Sequence, residues 1–231
     1  MSATAAEGRD NRPGREPGTS GAWRLFVAVP LPQDVRSALE DALGRVRDEV
    51  RGGRWLGPET WHLTLRFLGD TPVPEIPLIE EAVRSAARTA RPFAAALGHA
   101  GAFERRSGRV AWIGLDSGAE GVAALARALA AATAPDEVSR EPFRAHLTIA
   151  REAPVALVGA LDEAMREART GRPRPASAGL GSGPPAPPVR LVGGDPFAWT
   201  VDRLVLYRSV LGRTGAQHTP LLEARLGEPV G

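Results

Sequence analysis

Neither cysteine nor lysine occurs among the 231 residues. Without cysteine there are no disulfides, no zinc–thiolate sites and no thiol nucleophile. Without lysine the Gly-x-x-x-x-Gly-Lys loop that cradles nucleotide triphosphates is ruled out. A Gly-x-Ser-x-Gly nucleophile elbow is missing too, which removes the usual signature of a serine triad. Tyrosine appears once, so almost nothing titrates between histidine and arginine. The isoelectric point near 10.2 therefore overstates a net charge of only +2. No apolar run is long enough to span a bilayer and the N-terminus lacks the apolar segment of a signal peptide. The expectation is a cytoplasmic protein with no membrane partner, and a monomer.

What is present reads as globular, with 43% apolar and 24% charged residues. Residues 1–21 are rich in Gly, Pro, Ser, Thr and charge, and are expected to form a disordered tail ahead of one domain over 22–231. Arg24-Leu25-Phe26-Val27-Ala28-Val29 has the content of a buried strand closed by Pro30 and Pro32. Val35, Leu39, Leu43 and Val46 recur at helical spacing, which predicts a helix over about 34–50. A strand is predicted from Trp61, ending at Gly69-Asp70, and a helix from there through about 90. A strand pair follows over 93–103 and 109–115, then a helix over 119–133. A strand over 143–151 and a helix near 156–169 come next. Residues 171–190 form a Pro/Gly/Ala-rich stretch expected to be a flexible loop, and the chain closes with a hairpin over 199–211 and 217–226. Hairpin-like strand pairs among helices make the class α+β.

Four histidines are present: His62, His99, His146 and His218. Two of them open the same pattern, His62-Leu63-Thr64-Leu65 and His146-Leu147-Thr148-Ile149. With threonine at only 12 positions, a double coincidence is hard to ascribe to chance. In a strand, residues i and i+2 share a face. Each segment would thus turn one imidazole and one hydroxyl to a cleft while its aliphatic residues anchor the core. Two such strands supply two groups that titrate near neutrality and two donors for the oxygens of a small anion, which is what phosphodiester cleavage needs. One half-buried histidine by itself is more commonly structural; the repeat is what tips the reading. Neither histidine has His, Asp or Glu at i+2 or i+4, so a metal site is not indicated and no cofactor is expected.

At these residues the chain resembles the two-histidine phosphoesterases, and within them the bacterial RNA 2′,3′-cyclic phosphodiesterases once described as 2′-5′ RNA ligases. The opening strand, His62-Leu63-Thr64-Leu65-Arg66-Phe67-Leu68-Gly69, Arg109-Val110-Ala111-Trp112-Ile113-Gly114, Pro142 through Arg151 and Leu206-Tyr207-Arg208-Ser209 carry the likeness. The resemblance implies a bilobal fold of two pseudo-symmetric lobes, each an antiparallel sheet with flanking helices, around a central cleft. It implies hydrolysis of an RNA terminal 2′,3′-cyclic phosphate to a 2′-phosphomonoester, with His62 as proton donor and His146 as proton acceptor. Thr64, Thr148 and Arg151 would bind phosphate. The alternatives are reversible 2′-5′ ligation of RNA ends, hydrolysis of a small cyclic nucleotide at the same site, and a non-catalytic RNA-end binding module. Ala145 stands where the family usually has Pro, and His218 where relatives often have Tyr. His99 carries no motif and is assigned a structural role. Arg105, Arg106 and Arg109 form a basic cluster, read mainly as a solvated hairpin turn, the alternative being a hold on the RNA backbone beyond the terminal phosphate.

Overall fold

A strand with neighbours on both sides and side chains packed over both faces is apolar throughout, and Leu25 to Val29 are all buried. The computed structural model describes residues 21–133, 142–170, 194–212 and 215–228. It places this segment, β1 (Ala22–Pro30), antiparallel between β3 (His62–Pro72) and β8 (Arg203–Gly212). β8 continues the sheet to β9 (Gly215–Arg225), the expected closing hairpin. These four strands make one half.

The other half comprises β4 (Phe93–Arg105), β5 (Gly108–Ser117), β6 (Leu147–Arg151) and β7 (Ala198–Val201), with the two-residue β2 (Arg54–Trp55) pairing with Ala150 and Arg151 at the end of β6. The β4–β5 hairpin closes over Arg106 and Ser107, and Gly108 takes the positive φ of +106° that such a tight return needs. The halves meet where β3 and β6 run side by side, giving a continuous antiparallel order β7-β4-β5-β6-β3-β1-β8-β9. Only Leu63 and Leu147 are in register across that seam. The class is α+β, and the bilobal arrangement is read directly from this order.

Four helices cover one face of the sheet: α1 (Gln33–Glu49), α2 (Ile76–Arg88), α3 (Ala119–Thr133) and α4 (Ala156–Thr170). Each is amphipathic. The predicted stripe of Val35, Leu39, Leu43 and Val46 is the buried face of α1, and Leu157, Leu161, Ala164 and Met165 that of α4. The helices cross between halves. α1 leaves β1 yet packs on α4, which lies over β4 and β5; α3 leaves β5 yet packs on β3 and α2. A single hydrophobic cluster consequently runs behind both halves.

Several sequence expectations need correction. β3 does not stop at Gly69-Asp70 but pairs with β1 as far as Pro72, because Gly69 at φ +70° is absorbed by an irregularity between Leu25 and Phe26. The single strand expected over 199–211 is two: it breaks at Asp202, β7 pairing with β4 and β8 with β1. His146 lies just ahead of β6 rather than within it. Most of the expected tail at 1–21 and the whole loop expected at 171–190 lie outside the described residues. Among the described residues, no helix is long and apolar enough to cross a membrane.

Candidate active site

The seam between the halves is built from the two repeated segments. Leu63 and Leu147 face each other with no exposure, pinning β3 to β6. In the antiparallel register they set, His62 is level with Thr148 and Thr64 with His146. All four side chains are half-buried, while Leu63, Leu65, Leu147 and Ile149 are buried beneath them. The alternation predicted from the sequence is thus realised, and two imidazoles and two hydroxyls line one open face.

Each segment then breaks its alternation at the same place. Val27 pairs with Arg66 and Ala28 with Thr64, leaving Leu65 without a partner on β1. Ala111 pairs with Ala150 and Trp112 with Thr148, leaving Ile149 likewise on β5. An unpaired residue in one strand is a β-bulge, which reverses the parity of everything after it. The residue five beyond each histidine would otherwise point into the core. Instead Phe67 and Arg151 emerge on the cleft face, Phe67 with 56% exposure. The expected phosphate-binding Arg151 therefore shares a face with Thr148 because of the bulge, and Phe67 is its counterpart in the other half.

His62 enters β3 directly after a 3-10 turn (Pro58–Thr60), which is closed by hydrogen bonds from the Thr60 backbone and side chain to the Gly57 carbonyl. Its ring stacks on Phe26 at 4.8 Å between centroids, with Tyr207 at 6.1 Å. His218 meets it edge-on at 5.3 Å. Burial in this aromatic setting, then the neighbouring His218, lowers the pKa of His62 to about 4; a hydrogen bond to the Thr60 backbone opposes the shift, and His146 adds to it.

His146 is seated against Phe103 at 4.9 Å and Trp112 at 6.3 Å. Trp112 can lie flat there because Gly101 sits opposite it: a Cβ at Gly101 would come within 2.3 Å of the indole. The His146 Nδ1 is 2.7 Å from the Arg144 carbonyl oxygen. A carbonyl only accepts, so Nδ1 carries the hydrogen and Nε2 is left with its lone pair. Burial lowers the pKa of His146 as well; the Arg144 carbonyl opposes this and Arg105 reinforces it. Each imidazole is thus hydrogen-bonded to the backbone two residues before it, a likeness that the sequence pattern did not announce.

Among the described residues, no three His, Asp or Glu side chains converge as metal ligands would. What the arrangement offers is a pair of imidazoles that are neutral at pH 7, hydroxyl donors beside them, and an arginine on the rim. Such a set suits a small anion with proton-transfer groups on either side.

A family model described as LigT-like phosphoesterase matches residues 29–112. An RNA 2′,3′-cyclic phosphodiesterase of Thermus thermophilus is 38% identical over 136 residues, 55% of this chain and 68% of that one. One from Archaeoglobus fulgidus is 34% identical over 130 residues, 55% of this chain and 72% of that one. The chain belongs to the LigT-like phosphoesterase family. Against a similarly named protein of Geobacillus stearothermophilus, 33% identical, the matched stretch spans only 41% of that protein's length. Among solved structures, apo E. coli LigT superimposes with a TM-score of 0.62 at 25% identity, covering 90% of this chain and all of that one.

Within this LigT-like frame, the aromatic lining is what sequence reasoning missed. Phe26, Phe67, Tyr207, Phe103 and Trp112 belong to no motif of their own and stand on five strands of both halves. The available signals were that Phe67 follows His62 at the same distance as Arg151 follows His146, that Tyr207 is the one tyrosine, and that Phe26, Phe67, Trp112 and Tyr207 lie in runs that carry the family resemblance. His218, which stands where relatives often have Tyr, is part of this lining and packs edge-on against Phe26 at 4.9 Å. His99 lies outside the pair, edge-on to Trp112 at 5.7 Å and 3.6 Å from Asp116.

Proposed function

We propose that this chain hydrolyses the terminal 2′,3′-cyclic phosphodiester of RNA to a 2′-phosphomonoester, using His62 and His146 as an acid–base pair. The observation that carries the reading is the seam itself: two His/Thr pairs held level with one another by Leu63 and Leu147. The names of the curated relatives supply the substrate class, and E. coli LigT has been crystallised with 3′-AMP.

In this scheme water attacks phosphorus and gives its proton to Nε2 of His146, whose tautomer is set by the Arg144 carbonyl. The P–O3′ bond breaks and His62 donates a proton to the departing 3′ oxygen. Once His62 is protonated, the Thr60 backbone hydrogen bond stabilises the imidazolium. Thr64 and Thr148 donate to the non-bridging oxygens as charge develops, and Arg151 neutralises them from the rim. His62 is neutral in the free site, so the phosphodiester's negative charge is what restores its proton.

Phosphorus NMR of a 2′,3′-cyclic nucleotide incubated with the protein tests this directly. A 2′-phosphomonoester is expected to accumulate, with the rate reduced at least about 100-fold in His62→Ala and in His146→Ala, in the range of acid–base catalysis. Full activity in either variant, or a 3′-phosphate product, would overturn the reading.

A further inference from the structure

The basic cluster at the β4–β5 turn divides once it is folded. Arg109 is held by Glu104, with Nε 2.6 Å from a carboxylate oxygen. Arg105 has no carboxylate partner among the described residues; its guanidinium lies 5.4 Å over the ring of Phe103. The same ring meets His146 edge-on at 4.9 Å. Phe103 is thus a common neighbour of Arg105 and His146, which puts Arg105 beside the cleft.

A guanidinium stacked on an aromatic face keeps its edge donors free and its orientation fixed, which suits bidentate capture of a phosphate. We propose that Arg105 holds the sugar–phosphate backbone one nucleotide upstream of the reacting phosphate, so that the site takes the end of an RNA strand in preference to a lone nucleotide. This rests on the phosphodiesterase reading above and adds the substrate's second point of attachment. Arg151, placed by its bulge on the same half, leaves the rim cationic between the two phosphates.

The test compares a short oligonucleotide ending in a 2′,3′-cyclic phosphate with the matching cyclic mononucleotide. The ratio of their kcat/KM values cancels any influence of Arg105 on His146. In Arg105→Ala that ratio is expected to fall about tenfold, as for loss of one charge-assisted contact, and to recover in part in Arg105→Lys. An unchanged ratio overturns the proposal, as does equal loss on both substrates. Binding of an oligonucleotide with a 2′-phosphate end, followed by fluorescence anisotropy, provides a readout that needs no turnover. Arg105→Ala should bind more weakly, with the slope of log affinity against log salt shallower by about 0.7. If the unmodified chain turned over neither substrate, the phosphodiesterase reading would fail while this binding comparison still decided Arg105. Superimposable binding curves for the variant and the unmodified chain would overturn it.

Discussion

Two imidazoles whose pKa values are both lowered make an unusual acid–base pair, because the acid has to hold a proton that its surroundings disfavour. For the free site the productive form has His62 protonated and His146 neutral. The first condition is lost as pH rises through about 4, and the second is gained as pH rises through the lowered value of His146. The kcat/KM profile is therefore expected to be bell-shaped with its maximum on the acid side of the ordinary histidine range. An optimum above pH 8 would contradict the burial argument for both rings. The division of labour needs a separate probe, since a coupled pair titrates as a unit. A substrate with sulfur at the 3′ bridging position departs as a thiolate and needs no proton. It should rescue His62→Ala and leave His146→Ala inactive; the reverse pattern would exchange the roles.

At the scale of the element, the site depends on one cross-strand contact and two bulges. Leu63 and Leu147 are buried against each other at the only registered pair joining β3 and β6. Truncating either to alanine should lower the unfolding free energy by about 2–5 kcal/mol, as for large-to-small changes in a packed core. Because the two side chains share one interface, the double variant should lose less than the sum of the singles, by about 0.5–3 kcal/mol in urea denaturation. Strict additivity would mean that the seam is held elsewhere. The bulges at Leu65 and Ile149 act on direction, not stability. They bring Phe67 and Arg151 onto the face where His62, Thr64, His146 and Thr148 already stand. Neither bulge was legible in the sequence, since Leu65 and Ile149 have the same composition whether paired or bulged. The His/Thr alternation before them was legible, because a period of two depends only on local geometry.

For the whole molecule, the halves are joined weakly at the sheet and strongly behind it. α1 and α3 each pack over the half that their preceding strand does not belong to, and one hydrophobic cluster spans both. The two lobes are therefore expected to unfold together. Thermal transitions followed by far-UV circular dichroism and by tryptophan fluorescence, which reports Trp23 in the first half together with Trp112 and Trp199 in the second, should coincide in one step. Separate transitions would show lobes that fold independently.

The sequence by itself determined the helices, most of the strands, the α+β class and the His/Thr pairs, since each is written in spacing along one stretch of chain. It also removed thiol chemistry and lysine-dependent phosphate loops by omission. Only the tertiary structure decided that β3 and β6 lie side by side, that residues 199–211 split between β4 and β1, and that Arg105 and Arg109 have different partners. Strand neighbours and ion pairs form between residues far apart in the chain. Periodicity records which face is buried, but not what buries it. The aromatic walls that depress His62 and seat His146 come from β1, β4, β5 and β8, and no local pattern could have gathered them around one pair of imidazoles.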